Sequence, residues 1–303
     1  MGSTIESKVI EIPGQVPRQP LHCQPPDLAD SMGSVCERIR KLRGRPLLAL
    51  AADFIDDGFI EALWQWRKQL RQAALSRTVG IDVLINSPGG ELNSCFTVAR
   101  LLSRWLRNWE ALVPAYATSG GTLVCLGASK IVMSERAHLG LMGPLQAFFD
   151  SERASAFEAV QSLRQLRDIA LESIEAGVEF LMSRKVSSNT ALETAVVLAR
   201  ALVEPVVAKI DPSEVARYSA DSIMALDYCT RIARPDDPAR QTQRNVDLFG
   251  LIKAQSPHEC VLDLDTAKAM NFEAVEADME LEDLFDELRP LLAKVSRYVN
   301  FVA

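Results

Sequence analysis

The chain has 303 residues, 48% of them hydrophobic and 24% charged, with 15 Gly and 15 Pro. That profile excludes a fibrous or disordered polypeptide and allows one large domain or two small ones. With 33 Lys and Arg against 40 Asp and Glu, the net charge is −7, so no global positive field gathers phosphates and nucleic acid is not an expected partner.

The first 30 or so residues hold Pro13, Pro17, Pro20, Pro25 and Pro26 with little apolar periodicity. They read as an extended arm, of a kind that packs on a neighbouring subunit. Residues 1–44 are assigned to this arm and a short helix, and 45–303 to the main domain.

Pro46 to Ala52 is a short apolar run of buried-strand type. After Asp56-Asp57-Gly58, apolar Phe59, Leu63, Trp66 and Leu70 recur at helical spacing. Ile81 to Ile85 is a second strand ending in Asn86-Ser87-Pro88-Gly89-Gly90. A helix follows, with Leu92, Cys95, Phe96, Ala99, Leu102, Leu106 and Trp109 three and four apart.

No charged residue occurs from Ala111 to Ser129, which raises the question of a membrane span. Pro114, Gly120 and Gly121, with Thr118, Ser119 and Thr122 clustered in the middle of the run, instead predict two short buried elements joined at a sharp turn. The expected elements are a strand over 111–117, a helix over 122–128 and a fourth strand over 130–134. Strands alternating with helices predict an α/β fold with mostly parallel strands.

Beyond Pro144 the pattern turns helical, over 152–183 and about 190–209. Another helix starts at Asp211-Pro212-Ser213-Glu214, where the Asp can cap and the Pro fits the first turn. A helical insertion at about 150–234 is therefore expected. A last strand over 261–264 and a short helix over 266–270 complete the reading, and no internal repeat is found.

Two glycine-bearing strand ends carry the chemistry: Ser87-Pro88-Gly89-Gly90 and Ser119-Gly120-Gly121, each opening a helix. Helix N-termini present unpaired N–H groups and partial positive charge. Side by side on parallel strands, amides near Gly90 and Gly120 would converge on one oxygen as an oxyanion hole, with Ser119 beside it as nucleophile. Glycine suits these turns because substrate must approach the backbone closely and φ is expected to be positive.

The order Asn86-Ser-Pro-Gly-Gly90, helix, Ala117-Thr-Ser-Gly-Gly-Thr122, helix, Lys130-Ile-Val-Met133 resembles the Clp-type protease and signal-peptide-peptidase group of the crotonase-like fold. Val113 to Leu123, continued by His138 to Pro144, is most similar to the serine dehydrogenase proteinase family. The strong resemblance covers about residues 45–146, with a weaker echo over 258–276. It implies a spiral of ββα units, a serine peptidase acting on a peptide or protein substrate, no cofactor, no membrane span and assembly as a homo-oligomer. By the same resemblance Ser119 is the nucleophile, and Gly89, Gly90 and Gly120 supply the oxyanion hole.

The family order of Ser, Asp and His along the chain implies a base late in the sequence. Of the three histidines, His22 lies in the arm and His138 leaves the fourth strand, so His258 takes that place; its alternative is a surface-loop residue. The chain departs from the family where Leu139-Gly-Leu-Met-Gly-Pro-Leu-Gln146 lacks the expected acid. Gly143 stands nearest the acid's place, and Met142 where true Clp proteases carry their histidine. Asp150 is the candidate third member, or else a helix cap.

The resemblance to signal peptide peptidases, which use a Ser/Lys pair, makes Lys185 a further candidate base, although its setting reads as a solvated helix end. Three functions follow as expectations: a serine hydrolase of peptides; a catalytically impaired scaffold or peptide-binding relative; and a coenzyme A thioester enzyme of the wider fold, for which no basic nucleotide site is apparent. Six cysteines without a C-x-x-C pair, and an N-terminus without a basic-then-apolar segment, predict a reduced, cytoplasmic protein. A zinc site from His22, Cys23, His258 and Cys260 has no familiar spacing, so no metal is expected.

Overall fold

The protein is described by a computed structural model over residues 26–75, 80–106, 108–140, 151–233 and 261–303. Its centre is a six-stranded sheet ordered β8-β5-β3-β2-β1-β9. The strands are β1 (Leu47–Ala52), β2 (Ile81–Asn86), β3 (Trp109–Val113), β5 (Lys130–Met133), β8 (Ala274–Glu276) and β9 (Arg297–Val302). All neighbours run parallel except β1 with β9.

Every residue of β1 and β2 is buried, which is why β1 reads as an unbroken apolar run and β2 as one interrupted only by Asp82 before Asn86 ends it: both faces of a parallel sheet are covered. Leu48, Leu50, Val83 and Ile85 face α2 (Asp57–Gln65), α3 (Arg67–Leu75) and α4 (Leu92–Trp105). Leu47, Ala49, Ala51 and Leu84 face α1 (Pro26–Arg43) on the opposite side. The period-two alternation thus divides between two cores.

The apolar spacing through Phe59 and Leu70 builds two helices rather than one, α2 capping at Trp66 before α3 begins. The strand expected over 111–117 also divides. β3 ends at Val113, and β4 (Tyr116–Ala117) joins a second sheet ordered β4-β6-β7, with β6 (His138–Gly140) parallel to it and β7 (Val261–Leu262) antiparallel to β6. Pro114, which lacks an N–H, sits at that break. The uncharged run therefore lies across two sheets and α5 (Gly120–Cys125), and among the described residues no helix is long and apolar enough to cross a membrane.

The helical region forms α6 (Ser151–Ser183), α7 (Ser188–Val207) and α8 (Pro212–Ala233). Ala191, Ala195 and Ala199 are buried along α7, and a β-carbon on Gly177 would lie 3.0 Å from that of Ala195, so α6 and α7 approach closely. Lys185 terminates α6 in the left-handed conformation, φ 65°, with the Val186 amide donating to Leu181 O. It is exposed at that helix end.

α8 returns to the main core through Cys229, Ile232 and Ala233. It packs on α4, with the Tyr228 ring stacked 4.0 Å from Phe96 and its hydroxyl donating to Asn93 Oδ1. The chain continues through β7, α9 (Leu264–Ala269) and β8 to α10 (Met279–Leu292), and ends on β9. Neither α10 nor β9 was expected from the sequence. α10 lays Leu281, Leu284, Phe285, Leu288 and Leu292 on the same face of the sheet as α1.

At the N-terminal ends of β1 to β3, Arg43 and Arg45 each meet both Asp82 and Glu110. Asp82 is wholly buried, so these arginines supply the charge it needs inside the protein.

Candidate active site

Ser119 occupies the turn from β4 into α5, at φ 51° and ψ −115°. A side chain at positive φ is strained, and strain of this kind gathers at functional sites. A sharp strand-to-helix turn is also the geometry that presents the nucleophilic serine of α/β-hydrolases. The Ser119 hydroxyl is fully buried, and its Oγ has no hydrogen-bond partner among the described residues.

The end of β2 lies beside this turn. The Ser87 amide donates to Tyr116 O and the Thr118 amide to Ser87 O, so β2 and β4 bridge where both strands end. The Thr118 hydroxyl donates to Pro88 O, and the Gly89 amide to Ser87 Oγ. Gly89 holds φ 114°, a conformation that favours glycine.

Gly90 is fixed from the opposite side by Ile55, whose amide donates to Gly89 O and whose carbonyl accepts from the Glu91 amide. In a parallel bridge those bonds belong to the neighbours of Gly90, so its own N–H points away from Ile55. A β-carbon on Gly90 would lie 2.1 Å from Ile55 O, and one on Gly120 would lie 2.3 Å from Cys95 Sγ and 3.4 Å from Gly89 Cα. The two Gly-Gly turns are therefore packed against each other with no room for side chains. The structure brings together Ser119, Gly89, Gly90 and Gly120.

Thr122 ties the turn down from beneath. Its hydroxyl lies 2.7 Å from Ala117 O and 2.9 Å from Gly140 O, and the Gly140 amide donates to Thr122 Oγ1 at 3.1 Å. A hydroxyl has one proton and two lone pairs, so it donates to one of the two carbonyls while accepting from Gly140. Cys95, Thr122 and Ile55 were not singled out from the sequence. Thr122, three residues beyond Ser119, carries the one local signal that would have found it.

His258 and Asp150 lie outside the described residues, as do Met142, Gly143, His22, Cys23 and Cys260. His138 is half-buried on β6, its ring 6.1 Å from that of Tyr116, and burial holds its pKa below the usual histidine value. It makes no hydrogen bond to Ser119. Tyr116 has its pKa raised by burial and then by the Asp53 carboxylate nearby. The buried thiols of Cys36 and Cys229 are each pushed up to about 12 by desolvation, so they are packing groups rather than nucleophiles. Among the described residues no cluster of His, Cys, Asp and Glu is placed to hold a metal.

With the turn, its neighbouring glycines and the parallel sheet in view, comparison with known proteins gives a concordant result. Residues 67–175 match the family of ClpP-like SDH-type serine proteinases. That stretch contains Ser119 and both Gly-Gly turns. An uncharacterized protein of Methanocaldococcus jannaschii is 33% identical over 108 residues, covering 33% of this chain and 38% of the relative. The chain thus spans about two fifths of the length of that curated relative.

Among solved structures, a ClpP1 mutant from Listeria monocytogenes is 17% identical, covering 35% of this chain and 58% of that one, at a TM-score of 0.28. A probable enoyl-CoA hydratase/isomerase from Mycobacterium abscessus is 12% identical, covering 76% and 78%, at 0.23.

Proposed function

We propose that this protein is a serine peptidase that attacks a peptide carbonyl with Ser119. The single observation that carries the reading is the Ser119 backbone at positive φ, set against Gly89 and Gly90 at the mouth of two parallel strands. The amides of Gly90 and Gly120 would receive the developing oxyanion, where fixed donors stabilise a transition state without reorganising. His258 is the proposed base and Asp150 the proposed orienting acid, since a serine hydroxyl needs a base to attack at neutral pH. The match of residues 67–175 to a proteinase family supports the same reading.

A second reading, a peptide-binding scaffold without turnover, is favoured by one observation: Ser119 Oγ is buried and unpartnered. Labelling with a fluorophosphonate probe, wild type beside Ser119→Ala and His258→Ala, separates the two. Labelling mapped to Ser119 and lost in both variants supports the peptidase; absence of labelling while a control hydrolase reacts supports the scaffold.

Homo-oligomerisation belongs to the same proposal. Leu192, Val197, Leu198 and Leu202 of α7 are each at least half exposed, which is apolar area suited to a second copy. Light scattering on the purified chain tests it: a monomeric mass would sink this part of the proposal.

A further inference from the structure

Away from the Ser119 turn, on the outer face of α3 and the C-terminal end of α4, lies a cavity of about 250 Å³ lined by Trp64, Arg67, Arg71, Leu101, Arg104 and Trp105. None of these residues belongs to the Ser119 cradle. Cys95, which touches Gly120, and Trp105 stand ten residues apart on α4, so the cavity is about 15 Å along the helix from that cradle.

Helical spacing builds the cavity. Arg67 and Arg71 are four apart on α3, with Trp64 three residues before Arg67; Leu101 and Trp105 are four apart on α4 with Arg104 alongside. The two indoles meet at 5.5 Å with an interplanar angle of 57°, and Trp64 is 43% exposed, unusual for so large an apolar ring.

Three guanidinium groups share this small space, and none has a carboxylate partner among the described residues. Several other arginines are paired: Arg38 with Glu287, Arg43 and Arg45 with Asp82 and Glu110, Arg289 with Glu282, and Arg297 with Asp56. In a chain of net charge −7, carboxylates are plentiful, so three clustered positive charges without one leave a standing repulsion that an anion would relieve. The Arg67 guanidinium lies 4.6 Å over the Trp64 ring. A stacked guanidinium keeps its N–H fork in its own plane, free to take two oxygens of one phosphate.

We propose that this cavity binds a nucleoside phosphate, with the phosphates held by Arg67, Arg71 and Arg104 and the flat base against the indole and leucine wall. The volume falls just below the usual range for ligand sites and accommodates a mononucleotide in part, not a dinucleotide. The site does not depend on Ser119 being catalytic.

Isothermal titration calorimetry of the full chain with ADP, and with adenosine and pyrophosphate as separate ligands, tests the proposal. The expected result is saturable ADP binding that weakens by about tenfold or more in Arg71→Ala and again in Arg104→Ala, and weakens with added salt. Trp64→Ala should weaken ADP more than pyrophosphate. Both arginines are exposed helix residues, so their alanine variants keep the fold, and fluorophosphonate reactivity at Ser119 should not change. Absence of saturable binding at millimolar ADP, or binding retained in the Arg71→Ala/Arg104→Ala double variant, would overturn it. Pyrophosphate binding as tightly as ADP would overturn the nucleoside assignment, as would a preference for an acidic peptide.

Discussion

Gly120 and Cys95 are in mutual contact across the site: a β-carbon on Gly120 would lie 2.3 Å from Cys95 Sγ and 3.0 Å from Cys95 Cβ. The residue after the candidate nucleophile is therefore held at its depth by a buried thiol on α4. Gly90 is more tightly confined, because what its β-carbon would strike is the Ile55 backbone at 2.1 to 2.6 Å.

This contrast yields a ranked expectation. Gly120→Ala should cost about 1–3 kcal/mol, the usual penalty for overpacking, because the Cys95 side chain has some freedom to turn. Gly90→Ala should cost more, since a backbone cannot step aside. Urea denaturation of the two variants checks the order, and equal stability would contradict the packing described here.

Ser119 combines positive φ with a buried hydroxyl that has no partner among the described residues. Its stability effect and its reactivity should accordingly separate. Ser119→Gly removes both the steric strain and the unsatisfied hydroxyl, and should raise stability by about 1 kcal/mol while abolishing probe labelling. A fall in the thermal midpoint of Ser119→Gly would show that the turn is not strained.

Thr122 supports the turn through three buried polar contacts. Thr122→Val keeps the shape and deletes the hydroxyl, leaving the Gly140 amide and one carbonyl without that partner. The expected loss is about 1–3 kcal/mol, with Thr122→Ser restoring most of it. Chemical denaturation of the pair distinguishes lost hydrogen bonds from lost packing.

The charge cluster at the start of the sheet predicts a pH dependence. Burial pushes the Glu110 carboxyl up, but hydrogen bonds and charge from Arg45 and Arg43 outweigh it and hold its pKa below the ordinary value of 4.5. A depressed folded-state pKa means the stabilisation is complete above the unfolded value and is lost as pH falls through the folded one. Glu110→Gln should cost about 1–3 kcal/mol at neutral pH, and the gap from wild type should close as the solution is acidified below that value. Asp82 shifts the other way, raised first by burial and only lastly by the Glu110 charge, so the substitution removes the smallest of its causes and leaves its burial in both proteins. Urea titrations from neutral to acid pH test this; a gap constant with pH would exclude a Glu110 contribution.

Much of this architecture was legible in the chain. Leu47 to Ala52 and Val83 to Ile85 are apolar on both faces, as expected of a covered parallel strand, and the two Gly-Gly turns mark where the sheet delivers backbone to a site. The third strand was read too long because the apolar run continues through Ala117, and periodicity does not register a change of sheet at Pro114. β9 escaped notice because on this sheet edge only Tyr298 and Phe301 of Arg297 to Val302 are buried, three apart rather than in alternation.

The sequence by itself determined the strand-turn-helix units and marked the glycine turns at 89, 90, 120 and 121, because side-chain period and turn composition act over a few residues; locally, only Gly89 needs glycine for a positive φ. Tertiary structure alone decided that Ile55 and Cys95, more than 30 and 20 residues from their respective partners Gly90 and Gly120 in the first case and the second, close the site from two sides. It also decided that three arginines and two tryptophans from different helices share one cavity. Those contacts depend on how helices cross a twisted sheet, and no short-range pattern along the chain records that geometry.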